Sequence, residues 1–214
     1  MSAAWVALGL SGALAGLVLS GCAATPYDYT NYRAHPPRSI LVLPPLNEGT
    51  DIRGTYGYLS TVTRPLAEMG YYVYPVVLID QFLKDNGLPT PGEMVQAPLP
   101  KIREIIGADA VLYVTLQQYG TRYQLLSSTT AVVAVARLVD TRTGTLLWEA
   151  TLAAQEGSAG SGNVLADLIG AAITQAIGHS TDHAHDVAGQ ANAQFAVKGR
   201  GLLHGPYSPR YGQE

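Results

Sequence analysis

The chain has 214 residues, and its 13 Lys or Arg against 16 Asp or Glu give a formal net charge of −3. A hydrophobic fraction of 47% with only 14% charged residues excludes an intrinsically disordered chain. The slightly acidic balance argues against a nucleic-acid-binding protein. The single cysteine excludes an intramolecular disulfide and a Cys-rich metal site.

The N-terminal segment has the pattern of a signal peptide. The first charged residue is Asp28, and Ala3–Leu19 is a continuous apolar run, shorter than the roughly 20 residues of a membrane-spanning helix. The run ends in Leu19-Ser20-Gly21-Cys22, which resembles the lipobox of bacterial lipoproteins, although no Lys or Arg precedes it. We therefore predict a lipoprotein signal peptide over residues 1–21. The alternative for Cys22 is a buried free thiol at the end of a hydrophobic helix.

Lipidation determines where the protein is located. The resemblance to lipoproteins implies a lipid anchor, palmitate included, on Cys22, and Ala23 in place of Asp implies the outer membrane. Residues 22–38 are rich in Pro and Tyr without apolar periodicity, which indicates a lipid-anchored tether. We expect a domain held at the outer membrane and facing the periplasm.

Residues 39–178 are predicted to form one α/β domain. The predicted fourth strand, Thr129–Val139, is apolar on both faces and is therefore expected to be central in the sheet. Asp140–Gly144 after it is predicted to be a tight hairpin turn. The predicted strands are Ser39–Leu43, Tyr71–Leu78, Ala110–Leu116, Thr129–Val139 and Thr145–Ala154.

Helical spacing of apolar residues marks the connections between these strands. Leu59–Met69 predicts a helix that stops at Gly70 and is kinked or split by Pro65. Shorter helices are predicted at Asp80–Lys84 and Leu99–Ile105, and the Pro-rich segment Leu88–Pro98 between them is predicted to be a loop.

The element order β-α-β-α-α-β-β-β-α predicts a mixed five-stranded sheet with a βαβ start, an antiparallel meander and helices packed on its faces. Gly157–Gly162 is predicted to be a flexible connector, followed by an amphipathic helix from Asn163 to Ile177. Residues 179–214 are predicted to be a weakly helical to disordered tail, with a helix over Asp182–Gln194 and disorder from Lys198 on.

Four phrases of the sequence resemble a family of Gram-negative lipoproteins of unknown function, one member of which is a meningococcal surface-antigen candidate. The resemblance spans about residues 37–149 and continues weakly beyond them. The phrases are PRSILVLPPLNEGTDIRG, YLSTVTRPLAEMGYYVYPVVLIDQFLKDNGL, GADAVLYVTLQQYGTRY and LVDTRTGTLLWEA.

This resemblance implies a domain similar to the periplasmic domain of the curli-secretion lipoprotein CsgG, the N-terminal domain of TolB and the penicillin-binding-protein activator LpoB. These are periplasmic α/β modules that act through protein contacts. The turn of the Asp140 hairpin and the Leu147-Trp148 pair after it recur in that wider group. The resemblance assigns no reaction.

Signals for catalysis or cofactor binding are weak. Gly157–Gly162 lacks the Lys-Ser/Thr of a phosphate-binding loop, and no Gly-x-Ser-x-Gly nucleophile elbow is present. The densest metal-capable set lies after Gly178, which should end the preceding helix, and we predict solvated surface there rather than a metal site. This set is His179, Asp182, His183, His185 and Asp186. We therefore expect no cofactor, no metal and no enzyme activity.

Tyrosine is the unusual feature of the composition, with 13 Tyr against 2 Phe. Tyr combines apolar area with a hydrogen-bonding hydroxyl, so it suits both half-buried sheet edges and protein interfaces. Trp148 is predicted to be a core residue. The candidate interface residues are Tyr56, Tyr58, Tyr71, Tyr72 and Tyr74.

These observations predict a lipid-anchored outer-membrane lipoprotein that is a non-catalytic subunit or accessory factor of an envelope assembly or transport complex. Its expected partners are the membrane, envelope proteins or further copies of itself, and no nucleic acid. The alternative is a small-ligand or glycan-binding lipoprotein with a Tyr-lined cleft.

Overall fold

The computed structural model describes residues 27–124, 127–157 and 183–213, with residues 122–124, 127–128 and 157 described by their backbone alone. Cys22, the predicted helix after Asn163 and His179 lie outside these ranges. The elements in chain order are α1 (Thr30–Ala34), β1 (Ser39–Val42), β2 (Leu46–Asn47), α2 (Gly54–Glu68), β3 (Tyr72–Val73), α3 (Val76–Asp85), α4 (Pro91–Met94), α5 (Leu99–Ile105), β4 (Ala110–Gln124), β5 (Ser127–Asp140), β6 (Leu146–Gly157), α6 (His183–Asn192) and a 3₁₀ turn (Ala193–Ala196).

The strands form one mixed sheet in the order β3-β1-β4-β5-β6, with β2 paired to β4 beside this path. β1 is parallel to β3 and β4, whereas β4, β5 and β6 are antiparallel neighbours. Parallel neighbours need crossover connections, which α2 supplies between β1 and β3, and α3–α5 supply between β3 and β4. The predicted α/β class, βαβ start and antiparallel meander are confirmed. The two-residue strand β2 was missed.

The sheet has a hydrophobic core on each face. Successive side chains of a strand point to opposite faces, so Ile40 and Val42 enter the larger core and Leu41 enters the smaller one. The larger core lies under α2, α6 and the segments at both ends of the described chain. The smaller core lies under α3, α4 and α5. We call these two sides the α2–α6 face and the α3–α5 face.

Helix α2 continues through Pro65 rather than splitting there. Pro65 lies in the last turn of the helix, so its missing N–H removes a helical hydrogen bond only from the Thr61 carbonyl. The predicted stop at Gly70 is confirmed, because Gly70 has a φ of 87°, which side chains with a Cβ rarely adopt.

The predicted strand Tyr71–Leu78 is wrong beyond Val73, since helix α3 begins at Val76. Pro75 is the N-cap residue of this helix, and its extended backbone ends the strand. The β-branched Val76 and Val77 favoured a strand, but Ile79 and Leu83 at i, i+4 are buried on one helical side. Tertiary burial therefore overrides the local propensity.

The segment Leu88–Pro98 is not an uninterrupted loop, because it contains the short helix α4. Thr90 and Glu93 form a capping box at its start, with the Glu93 side chain accepting from the Thr90 N–H at 3.0 Å. Met94 at the end of the helix is fully buried in the smaller core. The α5 helix is confirmed.

The three antiparallel strands are longer than predicted. β4 and β5 pair from Ala110–Asp140 at one end to Gln124–Ser127 at the other. The turn between β5 and β6 forms as predicted, because the Asp140 carboxylate accepts from the backbone N–H groups of Arg142 (2.6 Å) and Thr143 (3.3 Å), and Gly144 takes a φ of 71°.

The segments at both ends of the described chain pack on the domain, which corrects the expected tether and disordered tail. In the first segment Tyr29 and Tyr32 are buried. In the last segment Leu202 is buried, and the N–H groups of Gly205 and Tyr207 donate to the carbonyls of Met69 and Gly70. The predicted weak helix is present as α6. None of the helices that the structure describes is both long and apolar enough to span a bilayer.

Candidate functional site

The two end segments of the described chain enclose a groove. It consists of two cavities of about 550 and 220 Å³, whose walls share Arg33, Leu203 and His204. Residues 27–37 form one wall and residues 196–213 form the other, so we call it the terminal groove. A volume of this order accommodates a small molecule or the headgroup of a lipid.

Tyrosine side chains fix the N-terminal wall. The Tyr27 N–H donates to the Gly199 carbonyl at 3.0 Å, and the Tyr29 hydroxyl donates to the Gly201 carbonyl. The rings of Tyr27 and Tyr29 are 5.0 Å apart, and the Arg33 guanidinium lies 5.9 Å from the centre of the Tyr29 ring. Cation–π attraction therefore holds Arg33 beside the groove.

A chain of hydroxyl groups connects the groove to the core. The Tyr71 hydroxyl donates to the Leu203 carbonyl, so the buried Tyr32 hydroxyl is the donor in its contact with Tyr71. Both rings are buried, with 2% and 4% exposed. These hydrogen bonds satisfy buried hydroxyl groups whose burial without a partner would cost free energy. They also connect the two end segments to Tyr71 in the core of the α2–α6 face.

The charge of the terminal groove is positive. Arg33, Lys198, His204 and Arg210 line its two cavities, and none of the described residues that line these cavities is Asp or Glu. Asp28 is the neighbouring acid. Hydrogen bonds from Thr30 hold the pKa of the Asp28 carboxyl below its usual value. The groove therefore suits an anionic ligand.

His204 Nδ1 lies 3.3 Å from Ser208 Oγ within the groove. A Ser–His contact acts in nucleophilic catalysis when a carboxylate orients the imidazole. Here Ser208 follows His204 by four residues, so the contact joins two residues of one short segment. We interpret this contact as a local bond that shapes residues 204–208.

The five predicted interface tyrosines do not form one surface. Tyr58 and Tyr71 are buried in the larger core, where the Tyr58 hydroxyl donates to Asn192 Oδ1. Burial raises the pKa of the Tyr58 hydroxyl. Tyr56 and Tyr72 are exposed, by 48% and 52%, and Tyr74 is half-buried with its ring 5.0 Å from that of Tyr72. Only the last three remain candidates for partner contact.

Tyr56 belongs to a polar cluster between α2 and α3. Lys84 Nζ donates to Asp80 Oδ2 at 2.6 Å and to the Tyr56 hydroxyl at 3.0 Å. These bonds, that to Asp80 foremost, raise the pKa of Lys84 to about 12. The Lys84 charge is therefore compensated within the domain.

The outer side of α3 is apolar, a feature that the strand prediction concealed. Val77, Leu78 and Phe82 are exposed by 76%, 67% and 37%, while Ile79 and Leu83 on the inner side are buried. Ile79 and Leu83 are four residues apart, and this helical spacing is the feature of the sequence that could have indicated the buried side of α3. We call Val77, Leu78 and Phe82 the outer α3 face.

The described part of the predicted histidine set lies on helix α6. Among residues 27–124, 127–157 and 183–213, no three His, Cys, Asp or Glu side chains converge to hold an ion. His183 opens α6, and His185 Nδ1 lies 3.3 Å from Ser60 Oγ on α2. Asp182 and His179 lie outside the described residues. Trp148 is fully buried, which confirms its prediction as a core residue.

The terminal groove escaped sequence reasoning because its two walls are at least 159 residues apart in the chain. The available signal was the composition of residues 196–213, which contain three Lys or Arg and no Asp or Glu. A tail predicted to be disordered gave no reason to place those charges beside Arg33.

Comparison with known proteins places the chain in the family suggested by its sequence. The family model described as "Putative lipoprotein GNA1162-like" matches residues 27–207. "Putative lipoprotein NMB1124/NMB1162" of Neisseria meningitidis serogroup B (strain ATCC BAA-335 / MC58) is 41% identical over 201 residues, which cover 91% of this chain and 94% of that protein. The family model covers residues 27–38 and the last segment as far as residue 207.

Solved structures show the same likeness. The crystal structure of lipoprotein GNA1162 from Neisseria meningitidis has a TM-score of 0.55 and 44% identity, covering 62% of this chain and 92% of that one. The C-terminal domain of LpoB from Salmonella enterica is a more distant likeness. Its TM-score is 0.40 and its identity 19%, and the match covers 56% of this chain and 83% of that one. The family match over residues 27–207 and the 41% identity show that the chain belongs to the GNA1162-like putative lipoprotein family.

Proposed function

We propose that this lipoprotein is a non-catalytic subunit or accessory factor of an envelope assembly or transport complex. Cys22 carries its lipid anchor, and the domain faces the periplasm from the outer membrane. The observation that carries the proposal is the outer α3 face, which exposes three large apolar side chains on one short helix.

Exposed apolar side chains at this density indicate a contact surface. Val77, Leu78 and Phe82 lie on the side of α3 that faces away from the smaller core. Contiguous apolar patches on soluble domains mark interaction sites, because covering them removes apolar area from water at roughly 25 cal/mol per Å². The neighbouring edge strand β3 adds the exposed ring of Tyr72.

The polar groups of α3 define the chemistry of its partner. Lys84 pairs with Asp80 at 2.6 Å, and Gln81 donates to Asp85 at 2.7 Å. The Lys84–Asp80 pair compensates charge within the helix, whereas Gln81 is neutral and leaves the charge of the exposed Asp85 in place. The face therefore offers three large apolar side chains with one carboxylate on the same helix. Its partner is therefore an apolar surface of another envelope protein. Anchoring to one membrane raises the local concentration of the two proteins, so a modest interface suffices.

Site-specific crosslinking in cells tests this surface. A photo-crosslinking residue at Leu78 is expected to yield a discrete crosslinked band, whereas the same residue at the exposed Glu104 of α5 yields none. Val77→Ser with Phe82→Ser should abolish the band from position 78 and change the free energy of unfolding by only about 0.5 kcal/mol. Absence of a band from Leu78, or equal bands from both positions, would contradict the proposal. A band with twice the mass of the chain would identify a second copy as the partner.

The anchor has a separate test. Metabolic labelling with palmitate should label the wild type, and Cys22→Ala should accumulate as an unlabelled precursor. Ser20→Ala is the matched control, since it keeps a small residue within the lipobox and retains labelling. Normal acylation of Cys22→Ala would refute the lipobox assignment.

Small-ligand or glycan binding is the second candidate function. The observation that favours it is the terminal groove, whose larger cavity of about 550 Å³ has the rings of Tyr27 and Tyr29 in its wall. A ligand that binds only the folded state raises the melting temperature by mass action. Stabilisation by a neutral glycan would support this function, and its absence together with α3 crosslinks would support the first.

A further inference from the structure

The charges of this protein are unevenly distributed. Residues 27–38 and 196–213 together carry five Lys or Arg and a single Asp, whereas the remaining chain carries eight Lys or Arg and fifteen Asp or Glu. The two segments lie side by side, joined by the bond from the Tyr27 N–H to the Gly199 carbonyl. An acidic protein thus presents one basic surface, which is the electrostatic footprint of an anionic partner.

The basic side chains converge on the terminal groove. Arg33 and Lys198 are exposed and line its larger cavity with Arg210 and the half-buried His204. Neither Arg33, Lys198 nor Arg210 is held in an ion pair within the described residues, whereas Arg53, Arg64 and Lys101 elsewhere on the surface are. Of the acids beside the groove walls, Asp28 bonds to Thr30 and also attracts Arg33, and Glu149 pairs with Arg137 at 2.8 Å. The groove cations therefore remain available to a ligand.

The segment that forms the second wall of the groove exposes aromatic and apolar side chains as well as cations. Tyr207 and Tyr211 are 64% and 50% exposed, and Val197 is 46% exposed. These residues lie on the same segment as Lys198 and Arg210. Tyr at the level of lipid headgroups, together with Lys and Arg, is the pattern by which proteins settle on bilayer surfaces.

The position of the anchor places this surface at the membrane. Tyr27 follows Cys22 by five residues, and a fully extended chain of that length spans only about 17 Å. Since the Tyr27 N–H is bonded to the Gly199 carbonyl, the Tyr27 side of the groove lies within about that distance of Cys22. This upper limit is about two screening lengths of about 8 Å, and any less extended path of the five residues brings the groove cations closer to the bilayer.

We propose that the terminal groove binds the phosphate of an anionic phospholipid headgroup in the membrane that holds the anchor. The Arg33 guanidinium and the Lys198 and Arg210 cations receive the phosphate, and the Tyr27 and Tyr29 rings pack against the glycerol portion. The assignment deepens the proposed function and rests on acylation of Cys22. A neutral sugar would leave three cations without a counter-charge, so an anionic lipid fits the groove better.

The test uses the acylated mature protein in vesicles of phosphatidylcholine, with and without phosphatidylglycerol. Hydrogen exchange of backbone amides in residues 27–38 and 196–213 is expected to slow about fivefold or more when phosphatidylglycerol is present. At about 1 M salt, where the screening length is about 3 Å, this protection should disappear. In Arg33→Gln/Lys198→Gln/Arg210→Gln the headgroup affinity should fall about 100-fold, abolishing the protection.

Matched variants and a free anion keep the test decisive. Arg53→Gln/Arg64→Gln/Lys101→Gln makes the same charge change on ion-paired surface residues and should retain the protection, and thermal unfolding verifies that both triple variants fold. Equal exchange in both vesicles, or protection that survives the groove substitutions, would overturn the assignment. Equal protection by inorganic phosphate in phosphatidylcholine vesicles would also overturn it, since the site would then bind a soluble anion. Mass spectrometry of the purified protein is done first and shows whether Cys22 is acylated. A protein that is not acylated contradicts the anchor assignment, whereas an acylated protein without protection contradicts the groove assignment.

Discussion

The two faces of the sheet are covered by different kinds of chain. On the α3–α5 face the cover comes from one continuous stretch, residues 76–105, between two strands of the sheet. On the α2–α6 face it comes from α2 together with segments that start near Tyr27 and end near Gln213. One face is thus closed by local connections, while the other depends on long-range docking, which costs more chain entropy. The long-range face also forms the terminal groove.

The largest expected effect tests whether the long-range face depends on its central aromatic residue. Trp148 is fully buried, its ring lies 5.6 Å from that of Phe195, and its Nε1–H donates to the Arg200 carbonyl at 2.8 Å. Trp148→Ala should lower the free energy of unfolding by about 3–5 kcal/mol. Urea denaturation measures the loss.

The control for Trp148→Ala is Met94→Ala on the α3–α5 face, where Met94 is equally buried. Met94→Ala should also destabilise the domain by about 2–5 kcal/mol, but only Trp148→Ala should speed hydrogen exchange in residues 200–203. Equal acceleration of that segment by both variants would show that the two faces do not unfold separately.

A smaller effect tests how closely the last segment docks. A Cβ added at Gly70, whose φ is 87°, would lie 2.2 Å from the backbone nitrogen of Ser208. Gly87 has a similar φ of 84° but nothing within 4 Å of its added Cβ. Gly87→Ala should cost about 1 kcal/mol for backbone strain alone, and Gly70→Ala more than about 2 kcal/mol.

Thermal or urea unfolding of the Gly70→Ala and Gly87→Ala pair isolates the contribution of the docked segment, because the backbone strain is shared. Gly70→Ala should also increase proteolytic cleavage within residues 205–213, whereas Gly87→Ala leaves it unchanged. Equal decreases in the free energy of unfolding of the two variants would mean that Ser208 shifts to accommodate the added Cβ without a loss of stability.

The smallest effect concerns pH and the bond between α2 and α6. Burial raises the pKa of Tyr58 above its unfolded value of about 10, so both states keep this proton below pH 10. Above pH 10 the unfolded state loses the proton and the folded state retains it. The stability contribution is therefore complete below pH 10 and declines as the pH rises, by about 1.4 kcal/mol per pH unit.

Tyr58→Phe should remove this contribution to the decline of the unfolding free energy with pH. Urea unfolding between pH 9 and 11, about one unit on either side of the unfolded-state pKa, measures the change. At neutral pH the substitution should cost about 1–3 kcal/mol, since Asn192 Oδ1 loses its buried donor. Tyr207→Phe, at a residue that is 64% exposed, is the control for the cost at neutral pH and should change the free energy of unfolding by less than about 0.5 kcal/mol. An unchanged slope in Tyr58→Phe would contradict the assigned burial.

Several local features followed from the sequence because their causes are local. The run at Ser39–Leu43, the stop at Gly70 and the turn at Asp140 depend on alternation, on a positive φ and on side-chain bonds within a few residues. Trp148 was predicted to be buried from its apolar strand. The lipobox at Cys22 remains a prediction from the sequence.

Other features depended on contacts between distant residues. Residues 76–78 have strand-forming composition, but burial of Ile79 and Leu83 against the sheet makes the segment a helix and leaves the outer α3 face exposed. The Gly- and Pro-rich tail looked disordered because its own residues cannot form a core. It becomes ordered by backbone bonds to Met69 and Gly70, more than 130 residues away in the chain.

The sequence by itself determined the α/β class, five of the six strands in their chain order, the hairpin and the family to which the protein belongs. Only the tertiary structure decided which tyrosines are buried and which cations share a groove. The physical reason is that periodicity and turn chemistry act within a few residues, whereas packing joins residues 27–38 to residues 196–213 across the whole domain.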